Sequence, residues 1–368
     1  MVFIQTTLGS IRYVPSISEV IFEMTEGLRV GIAGYGVVGK RRRAYIDLHP
    51  GFKTVAVSDR TFKGDGLFED GVEYFDDYVK LLEQDLDVLF VCLSNDVAAS
   101  GTIHGLKRGL HVFCEKPPGR NIAEIAAVRE VARQRVDQVL KYGFNHRYHE
   151  SIQEALKIVH SGELGEVVNL RGIYGKSKLI SWGQTTWRTE RDLAGGGILL
   201  DQGIHMVDLL RLFAGEFNEV YSIISNSFWK KDVEDNAYAI LRTDCGKVAM
   251  LHSSATSWRH RFKLDIILSK GELTLAGILS GSKSYGEETL VIARANHDES
   301  IEPHEETIFY DNDPSWAAEI DEFADAIKEG KKIVYGSIDD AYSTMELVYQ
   351  IYCADEKWRK KWDLKWCS

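Results

Sequence analysis

Three glycines with the spacing G-x-G-x-x-G stand between an apolar run and a helix-like run near the start of the chain. They lie in the stretch LRVGIAGYGVVGKRRRAYIDL. Glycines at this spacing allow a tight turn and a close approach of the backbone to a pyrophosphate, and the amino terminus of the helix favours negative charge. The pattern predicts a dinucleotide site whose cofactor contacts are Gly34, Tyr35, Gly36, Val37, Val38 and Gly39.

Asp59 ends a second apolar run, TVAVSD, at the distance from the glycine loop where an acid binds both ribose hydroxyls of NAD. Arg60 follows it and can either stack on the adenine or hold the 2′-phosphate of NADP. Because the carboxylate of Asp59 would repel that phosphate, the sequence favours NAD over NADP as the cofactor.

The stretch HVFCEKPPG places two opposite charges, Glu115 and Lys116, where an apolar run stops. Pro117 and Pro118 then restrict the backbone. A solvated turn would not need this combination, so the stretch is a candidate for a chemical function.

Asp201 and His205 are four residues apart, a spacing that puts two side chains on one face of a helix. His205 suits general acid/base catalysis because the ordinary pKa of histidine lies near neutrality. Asp201 can orient a substrate hydroxyl or hold the imidazolium. The glycines at 195–197 before the pair would let the backbone approach a ligand. A structural histidine–carboxylate pair is the alternative.

Apolar and helix-like runs alternate from Leu28 to about Asn145, which indicates βαβ units around a parallel sheet. The runs beyond are rich in β-forming residues and separated by short turns, which indicates a mostly antiparallel sheet, and two helices close the chain. The sequence predicts an extension over residues 1–27, a nucleotide-binding domain over 28–144 and a second domain over 145–368. The terminal helices of the second domain can pack back on the first.

Four stretches in order resemble one family: the glycine loop, the strand end CLSN, the EKPPG turn and the run GGGILLDQGIHMVDLL. The chain resembles the Gfo/Idh/MocA family, named for glucose–fructose oxidoreductase, inositol dehydrogenase and rhizopine catabolism, from Leu28 to about Tyr352. The resemblance implies an α/β fold with an amino-terminal Rossmann domain and a carboxy-terminal α/β domain built on a large, mostly antiparallel open sheet. It also implies hydride exchange between NAD(P) and a carbinol carbon of a sugar, inositol or related compound.

The resemblance gives the EKPPG turn a function. It implies that Lys116 contacts the reacting oxygen, that Glu115 lies beside the cofactor and that Pro117 fixes the turn, with a cis peptide bond as a candidate. An ammonium group near a developing alkoxide stabilises its negative charge. The resemblance also favours catalytic functions for Asp201 and His205 over a structural pairing.

The run Leu93-Ser94-Asn95 departs from the Thr-Pro-Asn that members of this family commonly carry, and Ala98 stands where they carry a histidine. Asn95 is still expected to contact the nicotinamide ribose, with Leu93 and Ser94 beside the cofactor. No histidine near the cofactor is assigned from this helix.

Further candidates for the substrate site flank the expected domain boundary and the glycine run. They are Asn145, Arg147, Tyr148, Trp187 and Arg188. The aromatic face of Trp187 beside the guanidinium of Arg188 suits a sugar that bears an acidic group. A structural role at the surface or between the domains is the alternative for each.

These residues favour an NAD-dependent oxidoreductase of a sugar or sugar derivative, with nucleotide-linked and acidic sugars among the candidates. Lys116 and His205 would handle the proton. One alternative is a glycosidase that keeps NAD bound and uses transient oxidation and elimination. Another is a sugar sensor that binds NAD without catalysis.

Composition limits the partners and the compartment. The net charge of −11 leaves no basic excess for a nucleic-acid partner, and no apolar run is long enough to span a membrane. The cysteines are scattered with no cluster at metal-ligand spacing, so we expect no metal and a reducing, cytoplasmic compartment. The family resemblance suggests a homodimer or homotetramer formed through the second sheet.

Overall fold

The first domain is built on a parallel sheet formed by the apolar runs near the amino terminus. The computed structural model describes residues 27–177, 186–280, 285–296 and 302–365. The described strands of this sheet are β1 (Leu28–Ala33), β2 (Phe52–Ser58), β3 (Gly66–Leu67), β4 (Glu73–Phe75), β5 (Val88–Val91), β6 (His111–Glu115) and β7 (Leu140–Gly143). Their order is β3-β4-β2-β1-β5-β6-β7, and every described pair of neighbours is parallel except β3 and β4.

The order of the strands creates a crevice above β1 and β5. The chain builds outward from β1 to β2 and then returns to place β5 on the other side of β1. The crevice lies at the carboxyl ends of the parallel strands, where open α/β sheets bind their ligands. The helices that connect or follow these strands are α1 (Val37–Ile46), α2 (Tyr78–Leu81), α3 (Asn95–Lys107) and α4 (Ile122–Arg133).

A second, larger sheet forms the core of the rest of the chain. Its described strands are β8 (Val167–Ser177), β9 (Glu219–Ser225), β10 (Asn236–Arg242), β11 (Val248–Ser257), β12 (Arg261–Leu268), β13 (Gly271–Ala276), β14 (Glu288–Arg294) and β15 (His304–Tyr310). Their order is β15-β14-β13-β12-β8-β11-β10-β9. The described neighbours are antiparallel except β8 and β11, which are parallel.

One face of the second sheet is covered by helices and the other is open. The remaining helices are α5 (Glu150–Ser161), α6 (Arg191–Ala194), α7 (Ile204–Ala214), α8 (Ser315–Glu329), α9 (Ile338–Ala354) and α10 (Glu356–Lys361). Helix α7 packs on β8 and β11, and α9 packs on β9. In β10 the side chains of Ala237 and Ala239 are buried while Tyr238 and Ile240 are exposed, so alternate residues face the helices and the open side. Within the described residues, no helix is long and apolar enough to cross a membrane.

Helix α8 follows the second sheet in sequence but packs against the core of the first domain. The ring of Phe323 lies 6.2, 5.8 and 5.6 Å, between centroids, from the rings of Phe52, Phe90 and Phe113 respectively. All four rings are buried. This apolar contact joins the two halves of the chain beneath the crevice.

The chain leaves the first sheet close to the predicted domain boundary. Strand β7 stops at Gly143, and the chain turns into a 3-10 helix over Asn145–Tyr148. The residues after Phe144 make buried polar contacts instead of ladder hydrogen bonds, and the apolar pattern of the sequence does not reveal this. The side chains of Asn145, Arg147 and Tyr148, which were predicted at the substrate site, therefore point elsewhere, as described below.

Candidate active site

A cleft of about 1110 Å³ lies at the carboxyl edge of the first sheet. Its far wall comes from the second domain and contains Trp187, Arg188 and Asp201. The predicted cofactor contacts that line it are Gly34, Tyr35, Gly36, Val37, Val38, Asp59, Arg60, Leu93, Ser94, Asn95, Glu115 and Lys116. Gly39 is buried within α1. The structure thus brings these residues from six separate stretches of the sequence to one cavity.

The glycine loop has the shape and electrostatics of an anion site. Gly34 has a φ of +93°, and a Cβ there would lie 2.3 Å from the carbonyl oxygen of Cys92, so only glycine fits. A Cβ at Gly36 would meet nothing within 4 Å, which leaves the loop open to the cleft. Gly36 caps α1 without a side-chain hydrogen bond, and the first turn contains no acidic residue. The loop therefore fits a pyrophosphate, which the helix amino terminus would bind.

Asp59 lies directly after β2 at the edge of the cleft. Its Oδ2 accepts a hydrogen bond from the backbone N–H of Tyr35 at 2.9 Å. Its Oδ1 accepts from the backbone N–H and the hydroxyl of Thr61 at 3.0 and 2.7 Å. These bonds fix the carboxylate beside the glycine loop, in a position that fits the ribose end of a dinucleotide.

Asn95 begins α3 and connects the two domains. Its Nδ2 donates to the backbone oxygen of Ala194 at 2.8 Å, and the residue is buried. The amide keeps a second N–H and an oxygen beside the cleft, so the expected contact with a nicotinamide ribose stays a prediction.

Glu115 is held in place by a buried arginine. Arg42 on α1 donates from Nε to Glu115 Oε1 and from Nη2 to Glu319 Oε2, both at 2.6 Å. Its guanidinium carbon also lies 4.4 Å from the centroid of the Phe113 ring. Two carboxylates and an aromatic face thus compensate the buried charge of Arg42, which fixes Glu115 at the floor of the cleft.

Lys116 extends from the end of β6 across the cleft to the second domain. The peptide bond between Lys116 and Pro117 is cis, as expected. The Nζ of Lys116 donates to the backbone oxygen of Asp201 at 2.7 Å. Burial lowers the pKa of the Lys116 ammonium, and the carboxylates of Asp201 and Glu115 oppose this shift without cancelling it. Lys116 therefore loses its proton more readily than an exposed lysine.

Asp201 lies in a π-helical turn, Leu199–Gly203, that precedes α7. Its carboxylate is 3.8 Å from Nζ of Lys176 and 3.6 Å from Nε of Arg188. Burial alone would raise the pKa of Asp201. Nearby cations outweigh that effect and lower the pKa to about 2; in order of effect they are Lys176, Lys116 and Arg188. Asp201 is therefore ionised across the physiological range.

His205 lies in the first turn of α7 and is buried, with 4% of its surface exposed. Burial, followed by the charges of Lys116 and His149, lowers the pKa of its imidazole well below the usual range. The ring of His205 stacks on that of His146, with centroids 3.7 Å apart and planes at 11°. The contacts of Asp201 go to Lys176 and Arg188, so the possibility that Asp201 holds the imidazolium is not supported.

The glycines before Asp201 serve packing and not ligand approach, which corrects the expectation from the sequence. Gly195 has a φ of +80°, and a Cβ there would lie 2.3 Å from the backbone oxygen of Arg120. A Cβ at Gly197 would lie 2.1 Å from the backbone oxygen of Glu234. The carboxylate of Glu234 also accepts hydrogen bonds from the backbone N–H groups of Gly197 and Leu199, at 2.8 and 3.0 Å. These contacts anchor the helical segment that presents Asp201 and His205.

Arg147 has a structural partner in place of a substrate. Its Nε and Nη2 donate to the two oxygens of Asp208 on α7, each at 2.7 Å. Both side chains are buried. A bidentate pair of this kind occupies the N–H groups along the edge of the guanidinium that would otherwise bind an acidic group of a substrate. The structure therefore does not support a substrate contact for Arg147 and gives it the structural role that was the alternative.

Tyr148 and Asn145 also point away from the cleft. The hydroxyl of Tyr148 bonds to the carboxylate of Glu322 and accepts from Nζ of the buried Lys141. Asn145 donates from Nδ2 to the hydroxyl of Ser315 at 3.1 Å. Of the five secondary candidates, the cleft contains only Trp187 and Arg188 among the residues the structure describes. The guanidinium carbon of Arg188 lies 4.4 Å from the Trp187 ring centroid.

Comparison with known sequences identifies the family. A family model described as an oxidoreductase family with an NAD-binding Rossmann fold matches residues 28–143. The model of the GFO/IDH/MocA C-terminal domain matches residues 152–274. Together the two matches cover more than half of the chain. The chain belongs to the Gfo/Idh/MocA family. The predicted family is confirmed, and NAD is the cofactor that the family description names.

Individual members of the Gfo/Idh/MocA family are similar to parts of the chain. D-glucoside 3-dehydrogenase of Escherichia coli strain K12 is 34% identical over 209 residues, which cover 55% of this chain and 58% of that protein. Levoglucosan dehydrogenase of Pseudarthrobacter phenanthrenivorans is 26% identical over 217 residues, which cover 54% of each. The chain thus spans little more than half the length of these relatives.

A solved structure titled levoglucosan dehydrogenase in complex with NADH superimposes on the chain with a TM-score of 0.78. It is 20% identical and covers 90% of this chain and 98% of the other. The similarity shows that the two proteins share a fold. The predicted fold class is therefore confirmed: a Rossmann domain followed by an α/β domain on a large, mostly antiparallel sheet.

Sequence reasoning missed three residues at this Gfo/Idh/MocA site. Lys176 lies at the end of β8 and was not considered, because a single lysine in a strand carries no motif. His146 lies between two residues that were considered, and its spacing of three from His149 was the available signal. Arg42 stands in the run KRRR, which is typical of a solvated helix face. All three become candidates only through partners far away in sequence.

Proposed function

We propose that this chain is an NAD-dependent oxidoreductase that transfers a hydride between the nicotinamide and a carbinol carbon of a sugar or sugar derivative. The bound cofactor supplies the hydride acceptor or donor. Asp59 and the glycine loop bind its nucleotide part, and Glu115 and Lys116 lie at the floor of the cleft where the reacting end would rest. The relatives described above, named as dehydrogenases of a glucoside and of levoglucosan, support a sugar-type substrate.

The observation that carries the proposal is the position of Lys116 between the nucleotide loop and the second domain. Its Nζ is bound to the backbone oxygen of Asp201, and its charge is close enough to His205 to lower the pKa of that imidazole. A lysine, a carboxylate and a histidine from two domains thus meet beside a dinucleotide cleft. This is the set of groups that removal of a hydroxyl proton during hydride transfer requires.

Lys116 and His205 share the proton. In the oxidative direction the hydroxyl must lose a proton as the hydride leaves. The lowered pKa of Lys116 lets its amine accept that proton, and in the reductive direction the ammonium returns it. The lowered pKa of His205 keeps its imidazole neutral near pH 7, so it can take the proton onward.

Asp201, Lys176 and Arg188 form the side of the cleft that orients the sugar. A permanently ionised carboxylate accepts hydrogen bonds from sugar hydroxyls. Lys176 and Arg188 lie at 3.8 and 3.6 Å from this carboxylate, so they contact it electrostatically and retain N–H groups for a ligand. Two cations around one carboxylate favour a sugar that carries an acidic or phosphate group, and the ring of Trp187 offers a stacking surface beside them.

The dehydrogenase is favoured over the two alternatives. The relatives described above are named for oxidation chemistry, whereas a glycosidase or a non-catalytic sensor has no support from them. We further propose a cytoplasmic enzyme that forms homodimers or homotetramers. The free thiols of Cys92, Cys114, Cys245 and Cys353 support a reducing compartment. The apolar open face of the second sheet supports self-association; its exposed residues include Tyr221, Ile223, Tyr238, Ile240 and Met250.

The proposal is tested by turnover of a panel of sugars, sugar acids, nucleotide sugars and inositols with NAD, followed by the absorbance of NADH. Lys116→Ala and His205→Ala should each lower kcat by about a hundredfold or more, because each acts on the proton in the transition state. NAD affinity should change little, since Asp59 and the glycine loop are untouched. The double variant should lose less than the product of the two single losses, because the residues act as a unit.

Wild-type turnover by a correctly folded Lys116→Ala variant would show that the EKPPG turn is only structural. If no compound in the panel produced NADH while NAD still bound, the proposal that the protein is an oxidoreductase would be rejected. The two results are separable because NAD binding is measured directly by calorimetry.

A further inference from the structure

The ring of His205 lacks the hydrogen bond that usually orients an imidazole in proton transfer. Such a histidine typically donates its second ring nitrogen to a carboxylate or carbonyl, which fixes both the tautomer and the plane. The Nδ1 of His205 is buried and has no hydrogen-bond partner in the part of the chain that the structure describes. Another contact must therefore hold the ring.

That contact is the stack on His146. The two rings are nearly parallel, at 11°, and their centroids are 3.7 Å apart, which is van der Waals contact over the whole face. Both residues are more than nine-tenths buried. The ring of Tyr174 is also roughly parallel to that of His205 but lies farther away, with the two centroids 6.3 Å apart.

His146 is fixed at both of its nitrogens. Its Nδ1 lies 3.1 Å from the side-chain oxygen of Asn145, and an amide oxygen only accepts, so Nδ1 carries the proton. Its Nε2 then accepts from the hydroxyl of Tyr174, also at 3.1 Å. Asn145 in turn donates to Ser315, whose hydroxyl donates to Asp313 at 2.6 Å. These bonds hold the ring of His146 in one plane and one tautomer.

We propose that His146 is a positioning residue for His205, whose imidazole plane is set by stacking on a ring that is itself hydrogen-bonded at both ends. The inference rests on the proposed function in one respect, the assignment of proton transfer to His205. The geometry is independent of that assignment. Asn145 thereby acts at the site indirectly, through His146, and not as a substrate contact.

The charged and titratable groups around the stack define its pH response. They are Lys116 at the end of β6, His149 in the turn before α5, Tyr174 on β8 with its neighbour Tyr285, and two carboxylates, Glu288 and Asp313, which lie 2.8 and 3.8 Å from the ring nitrogens of His149. Burial is the largest cause of the lowered pKa of both His146 and His205. A change that admits water beside His205 should therefore raise its pKa.

Three substitutions separate stacking from hydration. His146→Phe keeps a flat ring and the burial, so kcat should stay within about threefold of wild type. His146→Leu keeps the burial but removes the flat face, and kcat should fall on the order of tenfold or more, the scale of small misplacements in active sites. His146→Ala removes the face and also opens a space for water. In each variant the KM for NAD should stay unchanged, because the glycine loop is distant in the fold.

The pH dependence distinguishes positioning from a general structural effect. Oxidation needs both Lys116 and His205 unprotonated, so the acid limb of the activity profile contains both titrations and the pKa of His205 has to be measured at its own ring. In His146→Ala that pKa should rise towards the ordinary value, because water then reaches the ring. In His146→Phe and His146→Leu it should stay where it is, because the burial remains.

An NMR titration of the His205 ring in the unliganded protein, with isotope-labelled histidine, measures this pKa directly and without turnover. If the protein oxidised no sugar or related alcohol, the proposed function would be wrong, but the titration of His205 could still be carried out. Wild-type kcat in a folded His146→Leu variant would overturn the proposal. So would a His146→Phe variant as slow as His146→Leu, because the hydrogen bonds and not the stack would then matter. If His146→Ala failed to fold, the comparison of kcat between His146→Phe and His146→Leu would still test the proposal.

Discussion

Replacing Arg147 by alanine tests whether this residue supports the fold or binds the substrate. The structure pairs its guanidinium with Asp208 through two bonds of 2.7 Å, and neither side chain is more than 4% exposed. Removing one partner of a buried ion pair leaves an uncompensated charge, at a cost of about 3–5 kcal/mol. Asp208 keeps the hydroxyl of Thr344, which donates to it at 2.9 Å, so we expect the lower end, about 3 kcal/mol.

The assay is urea unfolding followed by tryptophan fluorescence, together with steady-state kinetics. With a slope of about 3 kcal/mol per molar urea, the midpoint should fall by about 1 M. The KM for the substrate should stay close to wild type. Arg188→Met is the matched control, because that arginine is 46% exposed and lines the cleft; it should change KM and leave the midpoint unchanged.

The double variant Arg147→Met/Asp208→Leu adds a second check. Replacing both charges with apolar groups of similar volume removes the unpaired charge, so most of the lost stability should return. An unchanged midpoint in Arg147→Ala together with a tenfold higher KM would refute the reasoning and return this residue to the substrate site.

Three further predictions follow from the cleft and from the open sheet. Asp59→Ala should weaken NAD binding by about 1–3 kcal/mol, the usual cost of losing a charged hydrogen-bond partner. Calorimetry that showed equal or tighter binding of NADP than of NAD to the wild type would contradict the preference for NAD. Ile223→Asp places a charge on the open face of the second sheet, where Ile223 is 67% exposed, and should dissociate the oligomer in sedimentation velocity; a wild type that sediments as a monomer at micromolar concentration would exclude this interface. A chelator should leave turnover unchanged, whereas activity lost on chelation and restored by zinc or manganese would mean that the Asp201–His205 pair holds a metal.

The sequence was sufficient where a function depends on residues that are neighbours in the chain. The glycine loop, Asp59 and the EKPPG turn each combine a strand end with the residues that follow it, and the carboxyl ends of parallel strands necessarily meet at one edge of the sheet. For this reason the predicted cofactor contacts line one cleft, apart from Gly39, which is buried within α1. The mostly antiparallel second sheet was likewise predicted from runs of β-forming residues separated by short turns, whereas the order of its strands comes only from the structure.

The roles of residues whose partners are distant in sequence could be assigned only from the tertiary structure. Arg147 and Arg188 both stand near aromatic residues in the sequence, yet one is buried against Asp208 and the other faces the cleft. The difference depends on where α7 places its carboxylate, and no local pattern encodes that.

The same reason explains the glycines before Asp201 and the histidine pair. The glycines at 195–197 suggested ligand approach, but the atoms that come close to them belong to Arg120, Glu234 and other residues distant in sequence. His146 and His205 are 59 positions apart and meet because the 3-10 helix after β7 packs against α7. Sequence determined which chemical groups this protein possesses and where its glycine loop lies between a strand and a helix. Long-range packing decided which of those groups are paired, buried and neutral, because burial and Coulomb interactions depend on distance in space and not along the chain.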